Sequence, residues 1–268
     1  MSPRPPVQHL GEIVSQLGTG KGTKAIVDLI ETQLHQEQAE EQDRRKAEGK
    51  GGPRLYVTDV GRCPASVWNR LMEVPETQPL TTDSLVNFRV GHAVEEAFMS
   101  LVGVEGVVCR EIPLTLRAGD AIVYGRADFM LLNNVLVELK SISSRSMGWT
   151  LKREENGRPE HNSQANLYLR ASQEGTLGDE TMGAFPLLDL AYLVYVVKDS
   201  TKGEPVVHAF EVPYSPRKAM EDLEFFAGIW WDFERGVQPI CDCEKRFNKK
   251  GPLYCAWGPS FPCCEREA

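Results

Sequence analysis

Three residues in one stretch have the types a hydrolytic site needs. From Ile122 to Ser141 the chain reads Ile-Val-Tyr-Gly-Arg-Ala-Asp-Phe-Met-Leu-Leu-Asn-Asn-Val-Leu-Val-Glu-Leu-Lys-Ser, and Asp128, Glu138 and Lys140 interrupt otherwise apolar runs. The pattern is two strands around an Asn-Asn turn. Strand side chains alternate faces, so the register decides what meets what. A three-residue loop, Leu132 to Asn134, sets Leu131 opposite Val135, Phe129 opposite Val137 and Ala127 opposite Leu139, one continuous apolar face. The other face then carries Arg126, Asp128, Met130, Leu136, Glu138 and Lys140, with Asp128 across from Glu138. A two-residue loop scrambles both faces, and Asn tolerates the positive φ with which three-residue loops commonly close. Opposed carboxylates repel unless a cation lies between them. Two hard oxygen donors with an ammonium alongside make the layout of a Mg²⁺ or Mn²⁺ hydrolytic site, with room for water and a phosphate.

A Glu-x-Lys pair by itself is more often a solvated ion pair on a hairpin, so the elements around it carry the weight. A helix from about Ser84, its N-cap, to Leu101 presents Leu85, Phe88, Val94, Phe98 and Leu101 as a core stripe, with Gly91-His92 and Glu95-Glu96 in its middle. Val107 to Leu116 is a strand leading into the hairpin. The polar segment from Ser141 to Arg158 reads as a loop, suited to a flap over substrate. Glu160 to Ala171 is helical and puts Gln164 and Tyr168 on one face at i and i+4. Leu190 to Val197 is almost wholly apolar, as in a strand buried on both sides; Val206 to Val212 is a further strand. Ser215 or Pro216 opens a helix to about Arg235 with Leu223, Phe226, Ile229 and Trp230 inward.

The two ends differ from this core. Residues 25 to 49 predict a helix whose second half is polar and charged, a solvated extension that could serve a protein partner. Cys63 precedes a helix begun by Pro64. Five of the seven cysteines, Cys241, Cys243, Cys255, Cys263 and Cys264, crowd a tail too rich in Gly, Pro and Lys to bury much core. Such tails fold around a metal, zinc or an iron–sulfur cluster in a cytosolic protein.

Taken in order, Gly91-His92 with Glu95, Gly125-Arg-Ala-Asp128, Glu138-Leu-Lys140 and Gln164-x-x-x-Tyr168 resemble the PD-(D/E)XK nuclease superfamily, and its RecB-type branch in particular, which includes the AddB nuclease domain and the CRISPR adaptation nucleases. The resemblance covers residues 56 to 264. It implies an α/β, restriction-endonuclease-like core with a mixed central sheet flanked by helices, spanning 56–238. An N-terminal helical extension (1–55) would precede the core, and a Cys-rich module (239–268) would act with Cys63. It implies catalytic roles for Asp128, Glu138, Lys140, Gln164 and Tyr168, and a Mg²⁺ or Mn²⁺ ion held by His92, Asp128, Glu138 and the Leu139 carbonyl. It also implies a 4Fe-4S cluster on Cys63 and three of the five tail cysteines, for which Cys241, Cys243, Cys255, Cys263 and Cys264 compete and Cys243, Cys255 and Cys264 are chosen, with structural zinc as the alternative. The family's tail cysteines are commonly spaced more tightly than these.

The activity implied is hydrolysis of DNA phosphodiesters, with single-stranded ends as substrate, in recombination, repair or phage DNA processing. A CRISPR adaptation nuclease and a non-catalytic DNA-binding protein on the same fold are the competing readings. At 268 residues, with 41% hydrophobic and 25% charged residues, the chain has the make-up of one globular domain plus a small module. A net charge of −8 argues against broad adhesion to nucleic acid but leaves room for a local basic groove. No apolar run reaches transmembrane length and the N-terminus lacks the apolar core of a secretory signal, so a cytoplasmic protein without membrane contact is expected.

Overall fold

The structure is a computed structural model that describes residues 32–40, 43–44, 52–76, 81–102, 107–132, 134–153, 157–182, 185–199 and 206–241. The chain divides into two compact units, Met1–Gly52 with Leu80–Phe88, and Pro53–Pro79 with Arg89–Ala268. In the first, residues 32–40 and 43–44 are helical, inside the span expected to be helix. Side-chain hydrogen bonds Gln33–Glu37 and Gln36–Glu40 at i,i+4 support that polar helix from its surface. Cys243, Cys255, Cys263 and Cys264 lie outside the described residues.

The second unit is a mixed α/β fold around one six-stranded sheet with helices against it, the class the sequence predicts. Its elements are β1 (Leu55–Tyr56), α1 (Pro64–Leu71), α2 (Thr82–Val102, which begins in the first unit), β2 (Val107–Ala118), β3 (Ala121–Leu131), β4 (Val135–Ile142), α3 (Ser144–Arg153), α4 (Pro159–Glu174), β5 (Leu190–Val197), β6 (Val207–Pro213) and α5 (Pro216–Glu234). The strand order is β1-β3-β4-β5-β6, with β2 on the other edge of β3. β4 and β5 are parallel, joined by the crossover through α3 and α4, whereas β2–β3, β3–β4 and β5–β6 are antiparallel.

The central hairpin has the expected register. Leu131 pairs with Val135 and Phe129 with Val137, and Asn134 takes φ +59°, the left-handed residue that closes the loop. Phe129, Val137 and Leu139 join Val194 and Val196 of β5 in one apolar cluster, with Val94 and Phe98 of α2 packed on it. Ala127, expected beside Phe129, packs instead in the larger cluster on the opposite side, with Met130, Leu136, Leu167 and Phe226. The middle of the sheet, at β4 and β5, is therefore dry on both faces, which is why the polar residues on β4 stand out.

Three expectations need correction. The N-cap of α2 is Thr81, whose Oγ1 accepts the Ser84 N–H at 3.3 Å, so Ser84 lies inside the helix. Phe88, placed in the core stripe of that helix, is 55% exposed. The segment after Ser141 is a helix, α3, and not a loop. Its first turn is capped: Ser143 Oγ accepts the Ser146 N–H, and Asp199 Oδ1 accepts the Ser144 N–H at 2.5 Å. Met147 and Thr150 are its buried side, so the polar letters that look like a loop are an N-terminus and an outward face.

Candidate active site

β3 and β4 separate at the position where the chemistry lies. Their pairing stops at Phe129 and Val137, and further back β3 pairs instead with β1 at Val123 and Tyr124. In the fork between, Asp128 Oδ2 accepts the Leu139 backbone N–H at 2.7 Å, so a carboxylate replaces the missing strand carbonyl. α4 closes the opposite lip. Tyr168 donates its hydroxyl hydrogen to the Arg126 carbonyl at 3.1 Å, and Gln164 Nε2 donates to the same Tyr168 oxygen at 2.6 Å. Gln164 and Tyr168, expected to act on the site, thus bond to each other and to the β3 backbone two residues before Asp128. On the other side Gly91 lets α2 come close to β4, since a Cβ there would lie 3.1 Å from Ser141 Oγ, next to Lys140.

The fork brings Asp128, Glu138 and Lys140 together. Lys140 Nζ donates to Glu138 Oε1, and the Glu138 side chain is buried. Its other oxygen, Oε2, is buried with no hydrogen-bond partner. Burial pushes the Glu138 carboxyl up to about 8, the Asp128 charge adds to the rise, and Lys140 offsets part of it. Burial also raises Asp128 above the usual carboxylate range, against the pull of Lys140 and the Leu139 N–H. Burial alone would favour a neutral Lys140, but Glu138 and Asp128 outweigh it and the net shift is upward. Two carboxyls held together without enough positive charge form an electrostatically frustrated pocket, and one added cation would relieve it.

Glu95, which sequence reasoning quoted as part of a motif but gave no role, faces the same pocket. Burial raises its carboxyl and the Asp128 charge raises it further. The fourth predicted ligand, His92, is placed differently. Its imidazole is 77% exposed and Nδ1 lies 3.7 Å from Glu95 Oε2. Among the described residues no three His, Cys, Asp or Glu side chains converge as a ready ligand set. Asp128 and Glu138 do converge, and hard divalent ions bind through one or two carboxylates while keeping waters and substrate phosphates for the remaining positions. The donor set and the unpartnered Glu138 oxygen fit such an ion.

Sequence reasoning also missed a second layer. His161 Nδ1 is 2.9 Å from the Tyr195 hydroxyl, and Tyr195 is the β5 register partner of Lys140. Burial, then the charges of Lys140 and Arg158, hold His161 down to about 3, so it is neutral. The signal was available: His161 precedes Gln164 by three residues on the same helix face.

Cys63 is buried and its Sγ lies 3.6 Å from Sγ of Cys241, with Ala65 packed beside them. The described thiol next to Cys63 is therefore Cys241, a residue outside the predicted set of tail ligands.

No family model and no curated protein matches this sequence. Among solved structures, the fold is similar to that of SSO0001, with a TM-score of 0.52 and 16% identity over 90% of this chain and 98% of that one. An alkaline exonuclease, LHK-Exo from Laribacter hongkongensis, aligns over 70% of this chain and 93% of its own at 11% identity and a TM-score of 0.45. In complex with dAMP it aligns over 69% and 89%, at 11% identity and a TM-score of 0.48. Among the described residues no helix is long and apolar enough to cross a membrane.

Proposed function

We propose that this chain is a Mg²⁺- or Mn²⁺-dependent deoxyribonuclease of the PD-(D/E)XK kind that degrades single-stranded DNA from its ends. The observation that carries this reading is the buried Asp128–Glu138 pair with Lys140 beside it and one Glu138 oxygen unpartnered. A scaffold has no use for so costly an arrangement. Asp128 and Glu138 would hold the ion, with the Leu139 carbonyl as a further protein ligand. When bound, such an ion lowers the pKa of a water and neutralises charge on the scissile phosphate. Asp128 is oriented for this by the Leu139 N–H, which fixes one carboxylate oxygen and leaves the other for the ion. Lys140 carries its proton at neutral pH, so it would orient the attacking water and donate hydrogen bonds to the phosphate. Gln164 and Tyr168 are positioning residues that hold the β3 lip through the Arg126 carbonyl.

The test is degradation of a labelled single-stranded oligonucleotide by the purified chain. With Mn²⁺ the strand should shorten progressively, and EDTA should stop the reaction. A chain that leaves single-stranded DNA intact in both Mg²⁺ and Mn²⁺ would end this reading.

We also propose that Cys63 and Cys241 belong to a structural iron–sulfur or zinc site completed by tail cysteines, for which Cys243, Cys255 and Cys264 are the other candidates. Its support is the 3.6 Å separation of the two thiols, with Cys63 buried. Thiols that close suit ligands of one centre. Anaerobically purified protein should be brown and carry about four irons if the centre is a cubane cluster, or colourless with about one zinc. Cys63→Ser should lose that metal and lower the melting temperature. Protein with neither metal would remove the proposal.

A further inference from the structure

Resting on the nuclease reading, we infer that the outward face of α3 is the track along which the single strand enters the site, with Arg145, Trp149 and Lys152 as its contacts. The three residues sit at i, i+4 and i+7, one stripe of the helix. All three are exposed, Trp149 at 44%, while Met147 and Thr150 are buried on the opposite side. The helix sequence Ser-Arg-Ser-Met-Gly-Trp-Thr-Leu-Lys-Arg contains no acidic residue, in a chain whose net charge is −8. A local cationic stripe on an acidic body is complementary to a phosphodiester, and an aromatic face set between cations is the pattern by which proteins hold single strands without reading sequence. From Arg145 to Lys152 the helix rises about 10 Å, enough for the stripe to contact more than one nucleotide.

α3 is also tied to the catalytic fork. It starts two residues after β4, the strand of Glu138 and Lys140, and Asp199 at the end of β5 caps its first turn. On its buried side Thr150 Oγ1 accepts a hydrogen bond from Arg158 Nε at 3.4 Å, and the Arg158 backbone N–H donates to the Tyr195 hydroxyl at 3.0 Å. Tyr195 is the register partner of Lys140. Two bonded steps therefore fix the helix relative to the residue beside the scissile phosphate. Among the described residues the negative groups near the stripe are Asp199, occupied by the Ser144 N–H, and Glu160, paired with Arg158 at 3.8 Å; Glu154 and Glu155 follow the helix in sequence, beyond Lys152 and Arg153.

The test measures binding of a fluorescein-labelled oligothymidylate to the full chain in the Asp128→Asn background, so that the strand is not consumed. Trp149→Ala should weaken binding on the order of tenfold, within the range for loss of one base–aromatic stack, while Trp149→Phe should keep most of the affinity. Arg145→Gln and Lys152→Gln should each reduce the slope of log K against log salt by about 0.7. In otherwise wild-type protein, Trp149→Ala should raise KM and leave kcat near its original value. Wild-type affinity and salt slope in all of these variants would overturn the inference and leave the nuclease reading standing. If the unsubstituted chain neither binds nor cleaves the strand, both fall together.

Discussion

Replacing Asp128 by Asn should lower the rate of single-strand cleavage by about 10³-fold or more, while the protein stays folded. The estimate follows from the several kcal/mol of charge stabilisation that a bound divalent ion contributes, each 1.36 kcal/mol being worth about tenfold in rate. Asn keeps an oxygen for the Leu139 N–H, the backbone hydrogen bond that holds Asp128 in the fork, so the local backbone has no reason to open. What is lost is the negative charge an ion requires. Lys140→Ala should cost about 10²- to 10⁴-fold, the range for a group that positions or transfers a proton. The Mn²⁺ concentration for half-maximal activity should rise steeply for Asp128→Asn and little for Lys140→Ala, because only the first removes a ligand. Equal metal dependence in both variants, or full activity in Asp128→Asn, would show that the fork is not the reaction centre.

The sequence made this fork legible only in part. Hairpin register follows from alternation and from Asn134, because shifting it by one residue would set Phe129 opposite Glu138 and Asp128 opposite Leu139, mixing the apolar and charged faces. The apolar run of β5 is equally plain, since both of its faces are covered. What alternation does not disclose is where two strands part. The separation before Phe129 depends on β1, a two-residue strand too short to signal itself, and on Tyr168, which reaches β3 from a helix forty-two positions away in sequence. The same limit hid Glu95, whose environment is set by how closely Gly91 lets its helix approach. α3 was missed for a different reason. Local polarity there records capping and an outward face, and only Met147 and Thr150 record the inward one.

Glu138 should separate activity from stability in opposite directions. Its carboxyl has an ordinary value of 4.5 and is pushed to about 8 in the folded protein, so the folded state binds that proton more tightly than the unfolded one. The stability it contributes is complete below 4.5 and is lost as pH rises through 8. Asp128, raised by the same burial, acts in the same sense. Metal-free protein should therefore lose on the order of a few kcal/mol between about pH 5 and pH 8.5. Glu138→Gln removes the titrating group, keeps an oxygen for Lys140, and should flatten that loss. At pH 8.5 the metal-free variant should melt at or above the unsubstituted protein while its nuclease activity is gone. Added Mn²⁺ should reverse the ranking, and its stabilisation of the unsubstituted protein should grow with pH over the same window, because the ion must displace the Glu138 proton. Melting curves from pH 5 to 8.5, with and without Mn²⁺, decide the matter. A Glu138→Gln protein that is less stable at every pH, with a parallel pH profile, would mean that Glu138 is kept for its ion pair with Lys140. The opposite ranking is what a carboxylate kept for an ion predicts: the fold tolerates its cost only because the site requires it.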